Sequence, residues 1–177
     1  MKMSEVAELY LLETIKSLRG LKTVSEKAIT QITPEELHFR ADPDSNTIAI
    51  LMKHLTGNMM SRFTNFLTAD GEKEWRKRDD EFIDDNLTLE ELLNNWNKGW
   101  DCLFNALLNI KPEDLLITVQ IRGEEQTVIR ALNRQLVHYA YHAGQIVYIC
   151  KQIRKSDFQS LSIPRGKPEN HVSPSRK

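Results

Sequence analysis

Proline and glycine break the chain at only a few places between Ser4 and Arg154, and between those breaks the apolar residues recur at helical period. This punctuation limits the fold more than any other feature. The first segment runs from about Ser4 to about Thr30, with Val6, Leu9, Leu12, Ile15, Leu18 and Leu21 as its apolar stripe. Thr33-Pro34 interrupts it, because proline disfavours helical backbone in the residue before it. The turn cluster Asp42-Pro43-Asp44-Ser45-Asn46 offers Ser45 or Asn46 as the cap of a second helix. That helix runs through Ile48, Leu51, Leu55, Met59, Phe63 and Phe66 to a stop near Ala69-Asp70-Gly71.

The charge-rich segment Glu72–Asn86 reads as a structured loop. After it, Thr88 and Glu91 form a capping box, and Leu87 with Leu92 stands where a hydrophobic staple closes the entry turn. The third helix continues through Leu93, Trp96, Trp100, Leu103 and Leu107, and Pro112 ends it. β-branched residues on either side of Arg122-Gly123, from Leu115 to Val128, predict a small hairpin. Thr127 then caps a fourth helix that reaches about Arg154. Four amphipathic helices of this length predict an all-α four-helix bundle with a β-hairpin before the last helix. The bundle domain covers residues 1–155, and 156–177 form an irregular tail.

Composition removes several classes of function. The 177 residues suit one domain with a substantial core, and a net charge of −1 gives no reason to expect nucleic acid or an anionic membrane as partner. No apolar run approaches the ~20 residues that span a bilayer. The N-terminal stretch carries acidic residues among its apolar ones and no small-residue cleavage site, so it reads as a helix and not a signal peptide. Cys102 and Cys150 are expected to be reduced, inert thiols in a cytoplasmic protein.

Chemistry enters with His138 and His142. Four residues apart on a helix, they stand one above the other and can both reach one metal ion, although two ordinary hydrogen-bonded histidines would show the same spacing. On the second helix, Thr47, His54, Asn58 and Arg62 share a face with Ile50 and Leu51. On the fourth, Arg134, His138, His142 and Gln145 do the same. Polar groups on two inward faces are costly unless they satisfy one another or bind something. His54, His138 and His142 would make a three-imidazole site with open positions. His38 and His171 read as solvated, and Trp96 and Trp100 as core. There is no glycine-rich phosphate loop, no serine nucleophile elbow, and no glutamate within His138–His142 to act as a zincin base.

A lone histidine on the second helix, followed much later by His138-Tyr-Ala-Tyr-His142-Ala-Gly-Gln145, resembles the DinB/YfiT-like superfamily of bacterial four-helix metalloproteins. The resemblance covers about residues 5–154. The stretches 57–82 and 160–167 are similar to an uncharacterised branch of that superfamily. It implies that His54, His138 and His142 bind a divalent metal: nickel or zinc, with iron or manganese also known among relatives. It also implies homodimers, and activities such as thiol-dependent S-transfer with bacillithiol or mycothiol and mycothiol-dependent isomerisation of maleylpyruvate.

Three functions are expected on these grounds. The first is a metal-dependent transferase acting on a small molecule with a low-molecular-weight thiol. A divalent ion on three neutral imidazoles keeps its charge and acidifies a thiol, and Arg62 and Arg134 could hold carboxylates of the thiol or its partner; a structural salt bridge to a nearby acid is the alternative for each, and the stronger one for Arg134. Asn58 and Gln145 would support the site. The second is a non-catalytic, dimeric, stress-associated metal-binding protein. The third is a metal-dependent hydrolase, which the lack of a carboxylate at helical spacing from the ligands disfavours. A homodimer would bury Leu11, Leu12 and Tyr10; otherwise Tyr10 and Leu11 would cover the 72–86 loop.

Overall fold

The computed structural model describes residues 3–166. Its elements are α1 (Met3–Ile29), α2 (Ile48–Phe63), α3 (Leu89–Leu108), a hairpin of β1 (Thr118–Ile121) and β2 (Glu124–Thr127), and α4 (Val128–Arg154). α1 packs along α4 and α2 along α3, with α2 also touching α4. The predicted four-helix bundle with its hairpin is therefore the fold. Trp96, Trp100 and Leu103 of α3 meet Leu55 and Met59 of α2 and Tyr139 and Ile146 of α4 in one core. At Gly99 an added Cβ would come within 3.1 Å of the Thr56 Cα, so glycine there lets α2 and α3 approach closely.

The apolar stripe expected on α1 meets the core only in its second half, where Leu18 is buried and Ile15 and Leu21 pack against it. Leu11, Thr14, Leu18, Ser25 and Ala28 are buried, whereas Val6, Leu9 and Leu12 stand in solvent at 41%, 49% and 60% exposure. The reason is geometric: a row of every third residue turns back by about 60° per step on a helix of 3.6 residues per turn, so it winds round the cylinder. The true face alternates threes and fours. Tyr10 turns to α4, where its hydroxyl donates to Asn133 Oδ1 at 2.9 Å with the Ile129 carbonyl also in reach at 3.3 Å.

Other local expectations shift by a few residues. Thr47, not Ser45 or Asn46, caps α2, accepting from the Ile50 amide at 3.1 Å. α2 ends at Phe63, because Thr64 turns extended (φ −67°, ψ 118°) and Asn65 then takes a left-handed backbone (φ 52°), yet Phe66 still reaches the core. The Thr88–Glu91 capping box and the Thr127 cap both form. Leu115 and Leu116 belong to a 3-10 turn, and the strand starts only at Thr118. His38 is not free in solvent: its Nδ1 meets Asp84 Oδ1 at 2.7 Å and its Nε2 the Leu87 carbonyl. His171 lies outside the described residues, whereas Phe158 and Leu161, beyond α4, pack on the core. Among the described residues no helix is long and apolar enough to cross a membrane.

The hairpin turn anchors the loop between α2 and α3. Arg122 and Gly123 have φ of 59° and 73°, the paired left-handed residues of a type I′ turn. Their amides donate to the two carboxylate oxygens of Asp70, at 2.8 and 2.7 Å. The start of that loop is thereby fixed to the far side of the bundle.

Truncating Leu11 to alanine is expected to cost about 2–5 kcal/mol in urea denaturation, and Val6→Ala less than about 0.5 kcal/mol. The reverse order would restore the row of threes as the core face.

Candidate metal centre

α2 is buried on nearly every side, and its polar residues go inward with the rest: Thr47, His54, Asn58 and Arg62 are all buried. α4 presents His138 and His142 to the same region. The Nε2 of His138 lies 3.2 Å from the Nε2 of His54 and 3.2 Å from that of His142. One ligand atom from each of the three lies within 4.8 Å of the others, a cluster able to hold a metal ion. The rings cross at 69° to 90°, so the nitrogens converge edge-on and the rings do not stack.

The outer nitrogens decide the protonation of the inner ones. His54 Nδ1 donates to Glu81 Oε2 at 2.9 Å, and His142 Nδ1 to Gln145 Oε1 at 2.7 Å. A neutral imidazole has one donor and one acceptor, so both of these rings turn a lone pair inward through Nε2. His138 can donate to one of them only. Three convergent nitrogens thus share at most one proton in the neutral cluster: with His138 Nε2 protonated, one of the two facing lone pairs is left without a hydrogen bond of its own, and with it unprotonated both 3.2 Å contacts set lone pair against lone pair. A cation removes that conflict. If His138 also turns its Nε2 lone pair inward, its Nδ1 carries the proton, and that buried atom has no hydrogen-bond partner. Burial, followed by His142 and His54, pushes His138 down to about 3; burial also lowers His142. Both stay neutral, as ligands must.

Sequence reasoning missed Glu81. It comes from the 3-10 turn Asp79–Phe82 in the charged loop and is buried between His54 and Arg76. Arg76 grips it with two hydrogen bonds of 2.8 Å, one to each oxygen. Burial alone would raise the Glu81 carboxyl, but the hydrogen bonds from His54 and Arg76 outweigh it and hold it below the usual range. Gly57 makes room: a Cβ there would stand 2.1 Å from Glu81 Oε1. A glycine in mid-helix one turn after His54 was the available signal, since such glycines mark close approach. The loop's shape rests on this arginine–glutamate pair; the Arg78–Asp79 pair is solvent-exposed at 3.4 Å.

The remaining candidates divide. Asn58 Oδ1 accepts from the Tyr139 hydroxyl at 2.9 Å, beside the centre. Gln145 orients His142 through its Oε1. Arg62 is engaged by Glu72, with two hydrogen bonds of 3.0 Å to Oε2, and by the Gly71 carbonyl. Arg134 is exposed and forms no ion pair among the described residues. A cavity of about 170 Å³ reaches His54 and His138 and is lined by Asn58, Gln135 and five arginines. A larger groove of about 400 Å³, with Phe39, Leu51 and Tyr148, reaches Gln145 but none of the three histidines, so the smaller cavity is the way in. Cys150 is fully buried, its thiol pushed up to about 12 by that burial, and neither cysteine joins the cluster.

The chain belongs to the family described as Protein of unknown function (DUF1572), which matches residues 5–167. No curated protein and no solved structure matches it.

The lowered histidines set a pH dependence. Below about pH 6.5 the unfolded chain takes up protons that native His138 refuses down to about 3, so stability falls as pH falls through that window. Carboxylates such as Glu81, ordinarily near 4.5, contribute little above that value. Urea denaturation of metal-free protein between pH 7 and 5 should show this decline, and His138→Gln should reduce its slope. Equal slopes would place His138 among ordinary solvated histidines.

Proposed function

We propose that this DUF1572 protein is a divalent-metal protein whose ligands are His54, His138 and His142, and which acts on small molecules through the arginine-lined cavity. One observation carries the reading: three inward Nε2 atoms with one proton at most to share. When bound, such an ion supplies Lewis acidity that lowers the pKa of a thiol or water. The chain's own residues do the rest. Glu81 and Gln145 hold two of the imidazoles in the tautomer that offers Nε2, and Arg76 keeps Glu81 ionised beneath His54. An all-imidazole donor set suits nickel, zinc or iron better than manganese, which prefers oxygen.

The bundle architecture and the histidine cluster support kinship with DinB/YfiT-like metalloproteins. Within that kinship, thiol-dependent group transfer fits better than hydrolysis. Among the described residues no carboxylate lines the cavity, and Glu81, with both oxygens engaged and its carboxyl held low, is a poor general base. Of the patch expected at a homodimer interface only Leu12 is free, since Leu11 is buried in the chain's own core and Tyr10 is bonded to α4; Leu12 with the exposed Val6 and Leu9 is the apolar surface that a homodimer would bury.

Reconstitution with nickel, zinc, iron or manganese followed by elemental analysis should give one ion per chain, and alanine at any of the three histidines should abolish it. Absence of stoichiometric metal in the native chain would end the proposal. Glu81→Gln should weaken binding by about 10–100-fold, the range for losing a partner that orients a ligand. Gly57→Ala should act in the same direction by displacing Glu81.

A further inference from the structure

The cavity beside the histidines is walled by Arg62, Arg76, Arg78, Arg122 and Arg134. These five guanidiniums share three carboxylates. Glu72 pairs with Arg62 and Arg122 and lies 3.9 Å from Arg76; Glu81 pairs with Arg76; and Asp79, almost fully exposed, lies 3.4 Å from Arg78. Arg134 has none among the described residues. The wall therefore carries more positive charge than its own carboxylates neutralise.

A second observation is independent of charge. Arg62 and Gln135, each 4% exposed, line this cavity, and each leaves a buried polar atom without a partner: Arg62 Nε and Gln135 Oε1. Native interiors rarely leave such atoms unpaired, and Nε is a donor. Turned over, the Gln135 amide would present its NH2, a donor, in place of that oxygen. Donors at the base of the cavity and free guanidinium at its rim, with no carboxylate in the lining, make a receptor for oxygen anions.

We infer that this cavity binds a small dianion, a phosphoryl or dicarboxylate group, held by Arg134 and Arg78 at the rim and by Arg62 and Gln135 below. Its volume of about 170 Å³ is smaller than the roughly 300–1,000 Å³ of sites that enclose a whole drug-sized ligand. The cavity thus takes the charged head of a molecule whose remainder projects outward. As an account of the substrate, this rests on the proposed metal centre; as a binding site, it does not.

The test is calorimetric titration of the full chain, metal-free and zinc-loaded, with inorganic phosphate and with succinate. One phosphate or one succinate should bind per chain, in the metal-free protein as well as the loaded one. Arg134→Gln and Arg78→Gln should each weaken binding about tenfold, the scale of one hydrogen bond to a charged group. Lys98→Gln removes the same charge from exposed α3 surface outside the cavity and should change nothing. Both arginines are exposed, so thermal melts should match the parent chain. A preference for phosphate marks a phosphorylated ligand, and a preference for succinate a carboxylate one; either supports the site. No saturable binding of either anion, or binding indifferent to both arginine substitutions, overturns it. Zinc loading measured on the same samples separates the two ideas: anions refused by a protein that takes up zinc defeat this inference alone, and anions bound by one that refuses zinc defeat the metal reading alone.

Discussion

A buried carboxylate joins the fold to the site. Glu81 lies between Arg76 and His54, with hydrogen bonds of 2.8, 2.8 and 2.9 Å converging on its two oxygens. Removing one member of such a group leaves a buried charge uncompensated, at a cost of about 3–5 kcal/mol. The contact therefore does two things at once. It pins the charged loop onto α2, and it fixes which nitrogen of His54 faces the other two imidazoles. Its supports run outward: Glu72 links Arg62 and Arg122, and Asp70 caps the turn at Arg122-Gly123. The hairpin, held to the core by Val119 and Ile121, acts as the far anchor of this network.

α2 shows why such a network is needed. A helix buried on almost all faces would ordinarily be apolar throughout, yet this one takes His54, Asn58, Ser61 and Arg62 inside. Each has a partner drawn from elsewhere: Glu81, Tyr139, Gly71 and Glu72. Local pattern and global burial conflict here, and such conflicts collect at functional sites, where other parts of the fold compensate. The partners come from the loop and from α4, so neither can shift without stranding a polar group on α2.

How far the sequence reveals this molecule depends on the range of each interaction. The helices, the Thr88–Glu91 capping box and the Thr127 cap depend on residues within one turn, and they are legible. The His138–His142 pair is legible for the same reason, and His54 through the polar face that it shares. The α1 stripe misleads because a row of threes resembles a face over two turns and winds away from it over about four. Glu81 is invisible to a search for carboxylates at helical spacing, because a loop delivers it 27 residues from His54. The two arginines exchange roles for a similar reason. From sequence, Arg62 is a candidate for an incoming carboxylate, and Arg134 the better candidate for a structural salt bridge. Glu72 lies close along the chain to Arg62 once α2 ends at Phe63, whereas α4 carries no acid near Arg134. Where α2 ends decides which guanidinium is engaged, and the apolar Phe66 conceals that end.

The electrostatics of the centre are set by its two sides. Three neutral imidazoles contribute no charge to offset a divalent ion, and the cavity wall beyond them is positive. An ion placed there would face repulsion from the guanidiniums unless negative charge stood close by. Glu81 meets part of that need from behind His54, through an imidazole that transmits its charge by hydrogen bonding. Glu72 meets another part, but it is shared among three arginines. The open side is left positive, and an anion arriving there neutralises wall and ion together. If ion and anion both bind as proposed, their affinities are coupled by simple Coulombic attraction, each raising the other by the same factor. Such an arrangement would favour the complete assembly of ion and anion over either alone. It also gives a reason for a carboxylate to sit behind a ligand histidine and not among the groups that line the cavity: in front, it would compete with the anion for the same arginines.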